Sequence, residues 1–259
     1  MEGLSTLAPS GGGVSVFLRN SAGAYLDAGV GFGGAVEVTA LVGGDVNRDG
    51  FADIIFSGDV GAPRVFLGND NGSFAPTTQA LMSQPSAELV LGDFDNDGSL
   101  DLFSVQIGGD QVLHLGAGDG TFDAMGTVVS TGAAELARLG DFDGDGSLDV
   151  FLGGVASMEE VLLGDGTGGL VSAGTFDAGA LLSVEMADWS GDGRLDALVG
   201  GEEGFAVLLG DGSGTFADAG HMTVVEVVTG VGIADLDRDG DLDAFTAVDT
   251  SADRVWFSR

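Results

Sequence analysis

The chain has 259 residues, of which 48 are glycine, and it carries 41 acidic side chains against 8 basic ones, all of them arginine. The formal net charge of −33 excludes recognition of nucleic acid or of an anionic membrane through a basic patch, because eight arginines cannot assemble one. The absence of cysteine excludes disulfides and thiolate chemistry, and no apolar run is long enough to predict insertion into a membrane.

The N-terminal stretch is predicted to be a tail over residues 1–13, followed by a hairpin over residues 14–33. Two short β-prone runs flank the turn residues in "VFLRNSAGAY", which is typical of a hairpin. The tail lacks the basic start and the long apolar stretch of a signal peptide. If the protein is exported, we therefore expect this chain to be its mature or a truncated form.

Five copies of one unit follow the hairpin, and they begin near residues 38, 87, 135, 182 and 229. Each contains an aspartate-rich loop, and successive loops are 48, 48, 47 and 47 residues apart. The loop separates two β-prone runs, and a later turn, as in "VLLGDGTGGL", separates two more. Four short strands in a repeat of this length are typical of one blade of a β-propeller. The sequence therefore predicts an all-β single domain over residues 1–259, a β-propeller of four-stranded blades.

Oxygen-bearing side chains recur within each loop, at positions 1, 3, 5 and 9 counted from the first acid, and glycine is always at position 6. Calcium takes six to eight oxygen ligands at roughly 2.3–2.6 Å, and position 7 can add a backbone carbonyl. Without a cation, the carboxylates would repel one another by roughly 1–4 kcal/mol per pair. We therefore predict about five Ca²⁺ sites. The predicted ligands are, loop by loop, Asp45, Asn47, Asp49, Phe51 and Asp53; Asp93, Asp95, Asp97, Ser99 and Asp101; Asp141, Asp143, Asp145, Ser147 and Asp149; Asp188, Ser190, Asp192, Arg194 and Asp196; and Asp235, Asp237, Asp239, Asp241 and Asp243.

An EF-hand is the main rival interpretation of these loops, since its loop also begins D-x-D-x-D-G. That motif needs a glutamate at position 12 and flanking helices. Position 12 is instead occupied by Phe56, Ser104, Leu152, Val199 and Thr246. The EF-hand is therefore excluded. Asn47 and Ser190 replace carboxylates in the first and fourth loops, which predicts weaker sites there because affinity follows the number of charged ligands.

The pattern D-x-D-x-D-G-x-x-D followed by an apolar strand, with "GAP" at residues 61–63 just before "RVFLG", resembles the FG-GAP/VCBS repeat. The resemblance covers about residues 14 to 259. This repeat is found in integrin α-subunit propellers and in many secreted bacterial proteins. It implies calcium at the loop positions given above and a secreted or cell-surface location. The "FG" half of the motif is weak, with "FGGA" at Phe32 as a lone partial match.

The number of blades depends on how the chain ends are used. Five blades are predicted, and the simplest closure lets residues 24–30 complete the last blade, which stops at a third strand in "RVWFSR". One alternative is six blades, with an incomplete N-terminal blade. Another is donation of strands to a neighbouring chain, which would give homo-oligomers or filaments through edge strands.

Catalytic side chains are scarce, with two histidines, His114 and His221, one tyrosine and no lysine. We therefore predict a non-enzymatic extracellular adhesion or ligand-binding module whose partner is an extracellular protein or a glycan. One alternative is a structural subunit of a surface layer or filament assembled by strand exchange. The other is a carbohydrate-active enzyme such as a polysaccharide lyase, which would need groups converging in a cleft. The candidates for those groups are Glu202, Glu203, Arg138 and Arg64.

Overall fold

All secondary structure in the described part of the chain is β-strand, paired antiparallel throughout. The computed structural model describes residues 37–59, 61–81, 84–130, 132–155, 158–222, 227–249 and 253–256. For residues 220–222, and for three N-terminal strands, it describes the backbone alone. These strands confirm the predicted all-β class.

The N-terminal strands form a sheet of their own, in the order β1-β2-β3. Strands β2 (Val14–Arg19) and β3 (Tyr25–Phe32) form the hairpin expected over residues 14–33. The prediction of a tail over residues 1–13 is corrected, because β1 (Gly3–Leu7) lies within it and pairs with β2. Pairing of β1 satisfies backbone groups that would otherwise be free along the outer edge of the hairpin. The sheets of the five repeats, described next, are consistent with the predicted propeller of about five blades.

Each of the five repeats forms a meander of neighbouring strands, and we call these the first to fifth repeat sheets. The first four have four strands, as predicted, and the fifth has three among the described residues. The first two are β4 Val38–Gly44, β5 Asp53–Gly58, β6 Arg64–Gly68 and β7 Phe74–Pro76; and β8 Ser86–Gly92, β9 Asp101–Gln106, β10 Gln111–His114 and β11 Thr127–Ser130. The other three are β12 Leu136–Gly140, β13 Asp149–Gly153, β14 Glu159–Gly164 and β15 Leu170–Phe176; β16 Leu181–Ala187, β17 Asp196–Gly201, β18 Gly204–Gly210 and β19 Phe216–Met222; and β20 Val228–Ala234, β21 Asp243–Val248 and β22 Arg254–Trp256.

The second strand of each repeat is the most buried. Every residue of β5, β9, β13 and β17 is buried, so both faces of these strands are covered. Their continuous apolar runs suit that environment, since a strand covered on both faces does not alternate with polar residues. The fourth strand β15 is far more exposed and carries polar residues. Burial therefore falls from the second strand to the fourth in each of the first three repeat sheets.

The chain divides into two compact units, residues 1–131 and 132–259. Within each unit the apolar core lies between successive repeat sheets. In the first unit Ile55 and Val65 of the first sheet belong to one core cluster with Leu89 and Leu102 of the second. In the second unit one cluster joins the third and fourth sheets, and another joins the fourth and fifth. The loops that carry the aspartates are therefore anchored on packed sheets.

A glycine at the end of the third strand, or just beyond it, brings the backbone unusually close to the aspartate loop. In the third repeat sheet, a β-carbon on Gly164 would lie 2.2 Å from the carbonyl oxygen of Leu148, at position 8 of the loop. The same close approach occurs at Gly68, Gly116 and Gly210. Only glycine fits there, so this residue fixes the distance between the third strand and the loop.

Replacing Gly164 by alanine is expected to destabilise the protein by about 2–4 kcal/mol. The added β-carbon would force the strand away from Leu148, and retreat would break the hydrogen bond that the Gly164 N–H donates to Asp149 Oδ1 (2.8 Å). Urea unfolding measures the effect. The control is Gly109→Ala, where a new β-carbon meets nothing within 4 Å. Equal stability of the two variants would contradict the argument.

Candidate metal centres in the aspartate loops

Each aspartate loop joins the first and second strands of its repeat sheet and closes on a paired residue. In the third repeat sheet Gly140 pairs with Asp149, so the loop spans the intervening residues and ends at position 9. The loops are 45–53, 93–101, 141–149, 188–196 and 235–243, named loop 1 to loop 5. This placement between strands agrees with the rejection of an EF-hand, which needs helices.

Two residues of every loop have a left-handed backbone. Position 6 is the expected glycine, with φ of 86°, 83°, 89°, 87° and 100° from loop 1 to loop 5. Position 4 is also left-handed, which sequence reasoning missed. Its residues are Arg48, Asn96, Gly144, Gly191 and Arg238, with φ of 59°, 57°, 78°, 74° and 65°. The glycines and the asparagine at this position were the available signal, since these residue types adopt that conformation most readily.

The side chains at positions 1 and 3 are held by backbone hydrogen bonds inside the loop. In loop 3 the Asp145 N–H donates to Asp141 Oδ1 and to Asp143 Oδ1, both at 3.1 Å. The Gly146 N–H donates to Asp141 Oδ2 at 3.0 Å. Loops 1, 2 and 4 repeat the two bonds to position 1. These bonds hold the carboxylates of positions 1 and 3 close together at the centre of the loop.

The aspartate at position 9 is completely buried in all five loops, and in loops 1 to 4 it joins the loop to the end of the third strand. In loop 3 its Oδ2 accepts the Phe142 N–H at 2.6 Å, and its Oδ1 accepts the Gly164 N–H at 2.8 Å. Loops 1 and 2 have the same two bonds, whereas in loop 4 the Ser190 N–H replaces the bond from position 2. The sequence interpretation gave position 9 only a ligand role. The glycine that recurs 14 or 15 residues later was the signal for this structural role.

Burial raises the pKa of the position-9 carboxyl above its ordinary value in Asp53, Asp101 and Asp149. The two backbone N–H donors lower the pKa in part, and the neighbouring loop acids raise it further. In these loops no side chain neutralises the negative charge of the buried position-9 carboxylate, which is surrounded by other carboxylates. A cation at the centre of the loop would supply that compensation.

Three loops bring carboxylate oxygens close enough to share one ion. The oxygens of each trio lie within 4.8 Å of one another, and the trios are Asp93, Asp95 and Asp101; Asp141, Asp143 and Asp149; and Asp235, Asp237 and Asp239. Ligands at 2.3–2.6 Å from a common cation are at most about 5 Å apart, so the trios fit calcium. The donor set is entirely oxygen, which suits a hard cation.

The remaining predicted ligands are arranged less favourably. Asp97 and Asp145, at position 5 of loops 2 and 3, turn one oxygen to the N–H of Ser99 and Ser147 and lie outside the trios. Within the described residues no trio of carboxylates forms in loop 1 or loop 4, the loops that contain Asn47 and Ser190. Ligation by the carbonyls at position 7 stays a prediction.

Metal-free protein is expected to lose stability as the pH rises from about 4 to 7. The position-9 carboxyls have raised folded-state pKa values, so the folded state binds these protons more tightly than the unfolded state, and ionisation favours unfolding. Melting temperatures of chelator-treated protein across this range measure the effect. Asp149→Asn should flatten the dependence. A melting temperature that rises with pH in the metal-free protein would contradict the expectation.

Two of the candidate catalytic residues, His114 and Arg138, are engaged elsewhere in the structure. His114 is fully buried, and its Nδ1–H donates to the Asp123 carbonyl at 2.8 Å, in agreement with a packing role. The Arg138 guanidinium donates to the carbonyls of Val184 and Ala137. Arg64 is exposed at the start of β6, and Glu202 and Glu203 are exposed in the turn between β17 and β18. The side chain of His221 lies outside the described residues.

Solved structures similar to this chain show the class of fold. An Agrocybe aegerita lectin that recognises non-reducing terminal N-acetylglucosamine has a TM-score of 0.63 and 21% identity, over 95% of this chain and 74% of that one. The structure of BBS1N in complex with ARL6DN has a TM-score of 0.64 and 13% identity, and the match covers 98% of this chain and 74% of that one. A putative 6-phosphogluconolactonase from Bacteroides fragilis has a TM-score of 0.60 and 15% identity, over 98% and 76%. With the repeated four-stranded sheets, these likenesses place the chain among the β-propellers.

The repeats themselves give the family. The FG-GAP-like repeat matches residues 45–104, 93–152, 141–199 and 188–246, and each match spans two successive aspartate loops. The chain belongs to the FG-GAP-like repeat family, as its sequence resemblance implied. Among curated protein sequences, none matches it significantly. In the described part of the chain, no helix is long and apolar enough to cross a membrane.

Proposed function

We propose that this protein is a non-enzymatic, extracellular ligand-binding or adhesion module whose aspartate loops are stabilised by calcium. The observation that carries the proposal is the convergence of three carboxylate trios, each within 4.8 Å, in the aspartate loops of the second, third and fifth repeats. Positions 1, 3 and 9 of loops 2 and 3, and positions 1, 3 and 5 of loop 5, would hold the ion. Bound calcium would neutralise the loop carboxylates and fix the loop conformation.

The binding role is supported by the family and by one structural neighbour. FG-GAP repeats are typical of extracellular proteins, where calcium is abundant. The similar Agrocybe aegerita lectin recognises a terminal sugar, which makes a glycan a reasonable class of ligand alongside an extracellular protein. Stiff sheets joined by loops present a preformed surface, and preformed surfaces lower the entropic cost of binding.

Two measurements test the proposal. Calorimetric titration of calcium into metal-free protein is expected to give about five sites, with those of loops 1 and 4 weakest. A glycan array and an extracellular protein panel, each probed in calcium and in chelator, should then identify a ligand whose binding is lost on chelation. Absence of any calcium-dependent heat would overturn the calcium-stabilised part of the proposal.

Measuring substrate turnover distinguishes an enzyme from the proposed binding module. The similar putative 6-phosphogluconolactonase and the carbohydrate-active alternative suggest two substrate classes, a sugar lactone and an acidic polysaccharide. We expect no turnover of either, because the Arg138 guanidinium is engaged by backbone carbonyls. Turnover that is lost in Glu203→Gln would instead favour the enzyme.

A structural subunit that associates with further copies is the second candidate, and one observation favours it. Two residues after position 9, Ile55, Phe103, Phe151 and Leu198 are completely buried, whereas the equivalent Phe245 is 46% exposed. Its partner across the strands, Val255, is also exposed. If a second copy covers this face, light scattering of the full chain should show oligomers that Phe245→Ser dissociates. Val128→Ser, at an exposed valine of β11, is the control.

A further inference from the structure

Loops 2 and 3 form a matched pair within the chain. Their sequences, "DFDNDGSLD" and "DFDGDGSLD", differ only at position 4, where Asn96 and Gly144 share a left-handed backbone. Both loops bring together the carboxylates of positions 1, 3 and 9, and both turn position 5 toward the N–H of a serine at position 7. From their own residues alone, the two loops should bind a cation equally well.

The surroundings of loop 2 differ from those of loop 3 because an arginine of loop 1 contacts loop 2. The Nη2 of Arg48 donates to the carbonyl oxygen of Asp97 (3.2 Å), to Asp97 Oδ1 (3.3 Å) and to Ser99 Oγ. Asp97 and Ser99 are positions 5 and 7 of loop 2. A guanidinium therefore lies directly on two predicted ligand positions of a neighbouring loop.

The hairpin turn of the second repeat sheet holds this arginine in place. A β-carbon on Gly118 would lie 3.0 Å from both Cζ and Nε of Arg48, and 2.9 Å from Ser99 Oγ. The guanidinium is thus packed between the turn and loop 2. Arg48 itself has a left-handed backbone, with φ of 59°, at position 4 of loop 1.

The same location is occupied by an arginine in the fourth repeat. Gly212 is the hairpin glycine equivalent to Gly118, and a β-carbon there would lie 3.0 Å from Nε of Arg194. The Nη1 of Arg194 is 3.8 Å from Oδ2 of Asp192, which is position 5 of loop 4. Here the arginine comes from position 7 of the same loop. A guanidinium therefore lies beside the position-5 carboxylate in two repeats. The preceding loop supplies it in the second repeat, and the same loop supplies it in the fourth.

We infer that Arg48 is an internal counter-ion of loop 2 that lowers the affinity of this loop for calcium below that of loop 3. The inference rests on the proposed calcium binding. The guanidinium uses an oxygen of Asp97 and adds a positive charge beside the site. Repulsion between a unit positive charge and a divalent ion about 6 Å away corresponds to about a tenfold loss of affinity, even at the dielectric constant of water. Loop 2, which the carboxylate count placed among the strongest sites, then ranks below loop 3.

The test follows two backbone amides during a calcium titration of the metal-free, ¹⁵N-labelled full chain. The Gly98 and Gly146 N–H groups donate to the position-1 carboxylates Asp93 and Asp141, at 2.9 and 3.0 Å, so each reports on its own loop. In the unmodified protein we expect Gly98 to half-saturate at about tenfold higher free calcium than Gly146. In Arg48→Gln the two midpoints should converge to within about threefold, through a change at Gly98 only.

Two variants make the result specific. Arg48→Ala should reproduce the convergence, and Arg48 is half-exposed, so both variants are expected to fold. Arg238→Gln, at the left-handed position 4 of loop 5, should leave the difference between Gly98 and Gly146 unchanged. Equal midpoints in the unmodified protein, or an unchanged difference in both Arg48 variants, would overturn the inference while leaving calcium binding intact. No response at either glycine would overturn the proposed calcium binding and the inference together.

Discussion

Removal of calcium is expected to lower the melting temperature by about 10 °C or more. A ligand that binds only the folded state at 100 times its dissociation constant stabilises it by about 2.7 kcal/mol per site, and 1 kcal/mol corresponds to about 2–4 °C in a domain of this size. A single saturated site therefore accounts for about 5–10 °C, and three carboxylate trios are available. Scanning calorimetry with calcium and with chelator gives the difference.

Substitutions in and outside the loops locate the origin of that shift. Asp143→Asn keeps an oxygen that can accept the Asp145 N–H but removes a charge from the loop 3 trio, so it should reduce the shift. Asp165→Asn, in the hairpin turn between β14 and β15, should leave it unchanged. Magnesium, which prefers a smaller octahedral site, should substitute poorly for calcium. A melting temperature indifferent to chelator would exclude structural calcium.

Replacement of Asp149 by alanine is expected to destabilise the protein by about 3–5 kcal/mol even without metal. The carboxylate accepts the N–H groups of Phe142 and Gly164 in a site from which water is excluded, so its loss leaves two buried donors unpaired. An unpaired buried donor costs about 1–3 kcal/mol. Urea unfolding of chelator-treated protein measures this structural role separately from ligation.

Asp145→Ala is the matched control in the same loop. Asp145 is exposed and accepts only the Ser147 N–H, so its loss should cost less than about 1 kcal/mol in the metal-free protein. In calcium the difference between the variants should narrow if Asp145 also ligates the ion. Equal unfolding free energies for the two metal-free variants would contradict the structural role assigned to position 9.

The strands and the loop positions could be predicted because their determinants are local and repeated. The turn in "VLLGDGTGGL" predicted a strand on each side, and β14 (Glu159–Gly164) and β15 (Leu170–Phe176) flank it. The glycine at position 6 predicted a left-handed residue, as at Gly146. The same pattern occurs in five copies at a regular spacing, so each copy supports the interpretation of the others.

Other features depended on residues far apart in sequence. The N-terminal strand β1 is too short to be recognised from composition and forms by pairing with β2. The contact between Arg48 and Asp97 joins residues that are 49 positions apart, and nothing local to either residue indicates it. Position 4 is asparagine or glycine in three loops but arginine in the other two, so residue type indicated the shared left-handed conformation only in part.

The sequence by itself determined the fold class, the family and the candidate metal ligands, because the repeat period, the hydropathy pattern and the carboxylate spacing can all be read directly from it. Only the tertiary structure decided that the position-9 aspartate is a buried link to the third strand and that an arginine from loop 1 lies on loop 2. Both depend on packing: a glycine without a side chain lets the third strand approach the loop, and adjacent sheets bring neighbouring loops within hydrogen-bonding distance.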